Sequence, residues 1–286
     1  MSARRTRAIS ASERTGVLQP ANLARFDARW IVPPDDVREI VDTYWAVRWH
    51  LDAGESIAQR IIDHPSVTFS IEHGDVDAPF VVTSARSHAW TRTLAGRGDV
   101  FAIRLRPAGL AVLSDLDPAS LGPEQELTAA LDARAHALLE RIASAPDPAR
   151  RAELADALVR ARLAERPLRA SQRIANAALE ALTAQPHVQR IHDVAALLGT
   201  SERTLQRALR THVGRGPGEI ARRIRLQEVV RCLSVADGDI AGIAVDLGYV
   251  DQAHLTNEFR RVAGVTPGAY VEALARTQAA LRGPAA

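Results

Sequence analysis

The sequence predicts an α+β protein: an N-terminal antiparallel β sandwich or barrel followed by helices, and then an all-α domain with two helix-turn-helix units. Residues 44–113 contain short β-type runs separated by turn residues. From residue 123 onwards the chain is rich in Ala, Leu, Glu and Arg at helical spacing, and residues 191–270 contain an internal repeat. With 286 residues, of which 47% are hydrophobic, the chain can form a core in each of two domains.

Composition narrows the class of protein. The basic N-terminal stretch has no apolar block after it, so we expect a disordered tail and no secretory signal. No run of about eighteen apolar residues indicates a membrane span. A single cysteine, Cys232, allows no internal disulfide, which fits a cytoplasmic protein. The net charge is only +2 and every basic residue is arginine, so arginine abundance by itself does not indicate nucleic-acid binding.

Four segments are predicted along the chain. They are a disordered tail at 1–19, a β-rich sensor domain at 20–122, a helical linker or dimerisation segment at 123–166, and a paired helix-turn-helix domain at 170–276. The β-type runs are 44–51, 66–71, 80–83, 89–94 and 100–105. The helices of the third segment either pair between subunits or pack the two domains together, and the sequence does not decide between these roles.

The repeat is the most informative feature. Residues 194–199, VAALLG, recur as residues 243–248, IAVDLG. Four later residues of the first copy then have counterparts fifty positions further on: Leu205 and Leu255, Leu209 and Phe259, Gly214 and Gly264, Pro217 and Pro267. Each copy is typical of helix, glycine turn and helix, the unit that places a helix in the major groove of DNA. A helix at 220–233 is expected to connect the two units and fix their spacing.

The second helix of each unit has one apolar and one polar face. In the first unit Ser201 is the expected N-cap and Leu205 and Leu209 face inward. The opposite face carries Arg203, Gln206, Arg207 and Arg210. In the second unit Asp251 is the expected cap, and the outward residues are Gln252, Thr256, Asn257 and Arg260. A packed helix pair with solvated arginines would explain one such unit, but two units matched position by position favour DNA recognition.

Further residues complete a known pattern. They are Ala195-x-x-x-Gly199-x-Ser201-x-Arg203-x-Leu205-x-Arg207, Gly214-x-x-Pro217, Arg225-Leu226, Ile240-x-x-Ile243-Ala244-x-x-x-Gly248-Tyr249 and Phe259-Arg260-Arg261-x-x-Gly264-x-Thr266-Pro267-x-x-Tyr270. On these residues, 191–270 resembles the DNA-binding domain of the arabinose-regulator (AraC/XylS) family of bacterial transcription factors. The resemblance implies base contacts from Arg203, Gln206, Arg207, Gln252, Ala253, Thr256 and Asn257. It implies phosphate contacts from Arg210, Arg260 and Arg261.

The sequence departs from this family at several positions. Leu209 replaces the usual phenylalanine, which is a packing change. Asn257 stands where the family commonly has arginine, and Glu258 follows it. His254 replaces an aromatic or small residue. We therefore expect the second unit to carry less positive charge towards DNA and to read fewer bases than the first.

The front half bears a fainter resemblance to the β-rich, often cupin-like domains that accompany this module. The resemblance rests on Tyr44-Trp45, His64-Pro65-Ser66 and the run FAIRLRPAG at 101–109, and it implies an effector-binding or dimerisation domain. Candidate effector-binding residues are Trp45, Trp49, Trp90 and Arg104, which are also explained by core packing and by structural salt bridges.

Metal and redox chemistry are disfavoured. His50, His64, His73 and His88 lack the His-x-His spacing of a metal-binding cupin, so no metal and no cofactor is predicted. Cys232 lies on the expected connecting helix, where a buried, inert thiol is favoured over a redox sensor.

These observations predict a sequence-specific DNA-binding transcriptional regulator that is not an enzyme and is controlled by a small-molecule effector. The expected partners are double-stranded DNA and that effector. RNA polymerase and a second copy of the chain are further candidate partners, and no membrane partner is expected. Two alternatives remain: a cupin-type enzyme fused to a DNA-binding domain, and a DNA-bound scaffold that responds to a protein partner. No Gly-x-Ser-x-Gly nucleophile elbow or phosphate-binding glycine loop supports the enzyme.

Overall fold

The computed structural model describes residues 6–8, 16–187, 190–235 and 239–282. The strands of these residues are β1 Thr6–Ala8, β2 Phe26–Ile31, β3 Val41–His50, β4 Ser56–Ile61, β5 Thr68–Gly74, β6 Phe80–Thr83, β7 Trp90–Ala95, β8 Arg97–Leu105 and β9 Glu124–Glu126. The α-helices are α1 Gly109–Leu113, α2 Ala129–Ala143, α3 Pro148–Glu165, α4 Ala170–Ala184, α5 Ile191–Leu197, α6 Glu202–Val213, α7 Pro217–Val235, α8 Ile240–Asp246, α9 Gln252–Ala263 and α10 Pro267–Arg282. Two short 3-10 helices cover Pro20–Arg25 and Asp35–Val37.

The N-terminal half contains two antiparallel sheets. The larger sheet has seven strands in the order β1-β2-β3-β8-β5-β6-β9, and the smaller one pairs β4 with β7. Since side chains alternate along a strand, the large sheet has one face towards the small sheet and one towards helices. The all-helical C-terminal half follows. The predicted fold class is therefore confirmed.

The outer face of the large sheet is covered by α2 and α3. Tyr44 and Phe101 stack on this face with ring centroids 5.7 Å apart, and both are fully buried. The Tyr44 hydroxyl donates to Asp156 of α3. Leu139 of α2 and Val159 of α3 belong to the same core. These helices therefore pack as part of the N-terminal domain.

The structure corrects several expectations about the front half. Within the segment that was expected to be a disordered tail, β1 pairs with β2. Val17 and Leu18 of the same segment are buried, because Val17 forms a β-bridge with Ile61 and Leu18 packs against residues of the C-terminal half. The sheet extends past the expected boundary at residue 122, since β9 pairs with β6. Four strands, β1, β2, β4 and β9, lie outside the predicted β-type runs. Tail residues 1–5 and 9–15 lie outside the described residues.

The C-terminal half has two separate hydrophobic cores. The first core joins α4, α5, α6 and the start of α7, with Leu205 and Leu209 completely buried. The second joins the end of α7 to α8, α9 and α10, with Phe259 at its centre. Leu18 and Ile62 of the N-terminal half also belong to this second core. The long α7 therefore connects the two units, as expected, and among the residues that the structure describes only the second unit shares its hydrophobic core with the front domain.

Polar contacts accompany this shared core. The backbone N–H of Ala89 donates to Val262 O at 2.9 Å, and the Tyr270 hydroxyl donates to Val17 O at 3.3 Å. From α7, Gln227 Nε2 donates to Ile62 O at 2.9 Å. None of the helices described is both long and apolar enough to cross a membrane.

Candidate functional site

The two helix-turn-helix units are built by the same local devices. Gly199 and Gly248 end the first helix of each unit with φ of +58° and +71°, a backbone region that favours glycine. Ser201 Oγ then accepts from Thr204 N at 3.2 Å, and Asp251 Oδ1 accepts from His254 N at 2.7 Å. Each side chain satisfies an N–H at the start of the next helix. Both predicted N-caps and both predicted glycine turns are confirmed.

The first reading helix, α6, turns its arginines outward. Arg203, Arg207 and Arg210 are exposed, while Gln206 is half-buried. These three arginines face solvent because Leu205 and Leu209, on the opposite face of α6, are buried in the core. Guanidinium groups presented in this way can bond a guanine edge or a phosphate.

The second reading helix, α9, presents a more neutral surface. Gln252, Asn257, Arg260 and Arg261 are exposed, Ala253 is exposed beside them, and Thr256 is half-buried. Arg260 Nη2 donates to Asn257 Oδ1 at 3.4 Å, so the asparagine side chain is held by its own helix. With two exposed arginines, compared with three on α6, the helix α9 carries less positive charge on its outward face from arginine side chains.

Glu258 lies on the inner side of α9 and not on its outward face. The sequence analysis expects this carboxylate to reduce the positive charge of the outward face, but the side chain is buried, with 9% exposure. Arg222 of α7 pairs with it, with Nε 3.3 Å from Oε1. Burial, followed by the Glu258 charge, raises the pKa of the nearby Tyr249 hydroxyl. Glu258 therefore joins the second unit to the connecting helix and does not weaken the reading face.

A cavity of about 210 Å³ lies between the two sheets of the N-terminal domain. The four candidate effector residues lie on its wall: Trp45, Trp49, Trp90 and Arg104. Trp30, which the sequence reasoning missed because β2 was not predicted, is there as well. All four tryptophans of the chain thus line one cavity. Trp30 on β2 and Trp45 and Trp49 on β3 lie on the same face of the large sheet, because side chains alternate along a strand, whereas Trp90 lies on β7 of the small sheet.

Ion pairs hold the charged residues of this wall. Arg104 Nε lies 2.6 Å from Asp42 Oδ2, and its guanidinium also covers the Trp30 and Trp45 rings. Burial opposes ionisation of Asp42, but the charges of Arg104, His64 and Arg106 and the Arg104 hydrogen bond together outweigh it and lower the pKa of the carboxyl. Arg106 pairs with Glu180 at 3.0 Å. Arg104 and Arg106 are therefore both engaged in salt bridges.

The histidines of the front half lie apart. His50, His64, His73 and His88 belong to the described residues, and nowhere among those residues do three His, Cys, Asp or Glu side chains form a group suited to a metal ion. Cys232 is half-buried on α7, with Sγ 3.9 Å from Glu228 Oε1.

Two family models match the chain, one in each half. Residues 194–273 match a family described as "Helix-turn-helix domain", and residues 29–125 match a domain of unknown function, DUF6597. The second match contains the tryptophan-lined cavity but attaches no activity to it. The first contains both recognition helices and the helix between them.

Curated relatives are similar over the same C-terminal region. The HTH-type transcriptional regulator GlxA of Rhizobium meliloti is 39% identical over 75 residues, which is 26% of this chain and 23% of that protein. A Streptomyces lividans protein classed as an AraC-like transcription regulator is 34% identical over 80 residues, 28% of this chain and 26% of that protein. The alignments with the curated relatives thus span a third of their length or less.

Among solved structures, ToxT from Vibrio cholerae aligns over 81% of this chain and 98% of its own, with 11% identity and a TM-score of 0.43, a likeness too weak to carry an argument. The repeat, its paired turns and caps, and the matches to regulators stand independently of it. Residues 194–273 thus match the helix-turn-helix family model, and the curated relatives that are similar over this region include AraC-like transcription regulators.

Proposed function

We propose that this protein is a sequence-specific DNA-binding transcriptional regulator whose N-terminal domain senses a small molecule. The observation that carries the proposal is the pair of capped recognition helices, α6 and α9, held on one connecting helix with their polar faces exposed. A connector of fixed length suits two adjacent major-groove contacts about 34 Å apart on one face of a duplex.

Each recognition helix is assigned its own contacts. Base edges are read by Arg203, Gln206 and Arg207 of α6, and by Gln252, Ala253, Thr256 and Asn257 of α9. Phosphates are held by Arg210, Arg260 and Arg261. The assignment is supported by the exposure of these side chains, all of which are exposed except for the half-buried Gln206 and Thr256. Arg207 lies at the middle of the outward face of α6, so it is the best single test.

Replacing Arg207 with alanine should weaken binding to the preferred DNA site by about 1–3 kcal/mol and relax base preference at one position, because a bidentate contact to guanine is lost. The site is first selected from a random DNA pool, and binding is then measured by fluorescence anisotropy. Arg150→Ala is the matched control, since this exposed arginine lies on α3 and pairs with Glu153. Unchanged affinity and base preference in Arg207→Ala would remove the role of this residue.

The cavity is the proposed effector site, with Trp45, Trp49, Trp90 and Arg104 as contacts. Contacts between the cavity wall and α7 of the helix-turn-helix domain support a regulatory role. Asp63 and Gln227 line the cavity, and Asp63 forms an ion pair with Arg223 of α7, the helix that joins the two readers. An occupant that displaced either side chain would act on that helix directly.

The chain is proposed to regulate and not to catalyse. The relatives that name an activity are transcriptional regulators. The cupin-type enzyme remains distinguishable by metal analysis of the purified protein, because stoichiometric metal would favour it. Contact with RNA polymerase and self-association on DNA belong to the proposal as partners, and DNA is its defining partner. Such a protein would work in the cytoplasm.

A further inference from the structure

The charged side chains on the cavity wall already have partners of opposite charge. Arg92 Nη1 donates to Glu72 Oε1 at 2.9 Å, and Arg86 Nη2 lies 2.8 Å from Glu124 Oε2. Arg104 and Asp63 are paired as described above. An ionic ligand would therefore have to break one of these pairs or remain uncompensated in a largely apolar space, which is costly. The wall favours an uncharged occupant.

Three polar groups of the wall, by contrast, have no hydrogen-bond partner within the described residues. They are Trp30 Nε1, Gln59 Nε2 and Ser66 Oγ, all buried atoms. Gln59 and Ser66 are 4% and 9% exposed as residues. Buried donors without partners are uncommon in folded proteins, so three in one cavity indicate groups that an occupant satisfies.

The orientation of the Gln59 amide is fixed by its surroundings. Asn22 Nδ2 donates to Gln59 Oε1 at 2.9 Å, and the same nitrogen donates to Ala58 O at 2.8 Å. The oxygen of Gln59 is therefore occupied and its NH₂ group is the free one. An indole N–H can only donate, and the same holds for this amide nitrogen. At least two of the three free groups thus require acceptors on the ligand.

The shape of the wall indicates a flat molecule. Trp30 and Trp45 meet edge to face, with ring centroids 5.6 Å apart and planes at 90°. Trp49 and Trp90 also line the cavity, whose volume is about 210 Å³. A dry cavity of about 150 Å³ takes a benzene ring, so one or two rings fit here.

We propose that the cavity binds an uncharged aromatic molecule of one or two rings that carries at least two hydrogen-bond acceptors. The inference rests on the proposed sensor role of the domain and names the class of effector. Trp30 and Gln59 donate to the acceptors, and the remaining indole rings pack against the ring system.

Isothermal titration calorimetry of the full chain tests this with four probes of similar size. Coumarin and chromone are neutral and carry acceptors, 2-naphthoate is an anion, and naphthalene has no acceptor. Coumarin or chromone should bind at least about tenfold more tightly than 2-naphthoate or naphthalene, because only they satisfy the free donors without adding charge.

Two variants remove the free donors. Trp30→Phe removes the free indole N–H and should weaken coumarin or chromone about tenfold, and Gln59→Met should do the same. Gln185→Met is the matched control, because this exposed glutamine follows α4 and does not line the cavity, and it should leave the affinity for coumarin or chromone within about twofold.

Tighter binding of 2-naphthoate, equal binding of naphthalene, or no binding of either neutral probe would overturn the ligand class. Anisotropy with the selected DNA site on the same samples separates this from the proposed function. DNA binding without neutral-probe binding defeats only the ligand class. A bound anion that shifts DNA affinity keeps the sensor and replaces the class. Loss of specific DNA binding by the unmodified chain defeats the proposed function itself.

Discussion

The two helix-turn-helix units have the same backbone plan but different neighbours. The first unit is completed by α4 and has a core of its own, whereas the second shares its core with Leu18 and Ile62 of the N-terminal domain. Their reading faces differ too, with three exposed arginines on α6 and two on α9. The two copies of the motif therefore differ in their surroundings: the first has more exposed arginines on its second helix, and the second shares its core with the N-terminal domain.

The largest expected effect comes from opening the shared core. Phe259→Ala should lower the free energy of unfolding by about 3–5 kcal/mol, because a fully buried ring is lost and a cavity remains. Hydrogen exchange should rise in α9 and also around Ile62, across the domain boundary. The measurements are chemical denaturation and exchange detected by mass spectrometry.

Leu209→Ala is the corresponding change in the first unit, since Leu209 occupies the equivalent position and is also fully buried. Its cost should be about 2–5 kcal/mol, with faster exchange confined to α4, α5 and α6. If both variants loosened the same segments, the two cores would not be energetically separate and the contrast would be lost.

A smaller effect is expected from the polar link between cavity and connector. Gln227→Leu should cost about 1–3 kcal/mol, because the buried Ile62 carbonyl loses the donor on α7. The variant should become more sensitive to limited proteolysis between the domains while its first unit keeps its exchange protection. Gln206→Leu, a change on the first reading face, serves as the control and should leave domain docking intact. Equal protease resistance of both variants would show that this bond does not hold the domains together.

Periodicity made most of the C-terminal domain predictable. A glycine that needs positive φ, a cap residue two or three positions later and a 3.6-residue apolar stripe are local signals, and each fixed a turn or a helix end near its observed place. Glu258 shows the limit of that reasoning. Its neighbour in sequence faces outward, but its own partner, Arg222, lies on a different helix, and no local pattern states that pairing.

The N-terminal domain was harder to predict because its order depends on distant contacts. β4 pairs with β7, about thirty residues later, and β2 depends on β3 for its register. The sequence therefore suggested three cavity tryptophans and missed Trp30. The sequence allows two interpretations of Arg104, effector binding or a structural salt bridge, but it does not identify Asp42 as the salt-bridge partner, which only the fold brings close to Arg104.

The smallest expected effect compares the two N-caps. Ser201→Ala and Asp251→Ala should each cost about 1 kcal/mol, since each removes one side-chain acceptor at a helix start. Asp251→Ala should cost slightly more, because the carboxylate also interacts favourably with the positive end of the helix dipole. Ser201→Asp should accordingly stabilise the first unit by about 0.3–1 kcal/mol at low salt, and less at high salt. Urea denaturation at two ionic strengths measures these differences. A salt-independent gain in stability for Ser201→Asp, or a greater loss of stability in Ser201→Ala than in Asp251→Ala, would contradict this account of the caps. The surrounding cores, and not the caps, would then set the local stability of the two helix-turn-helix units.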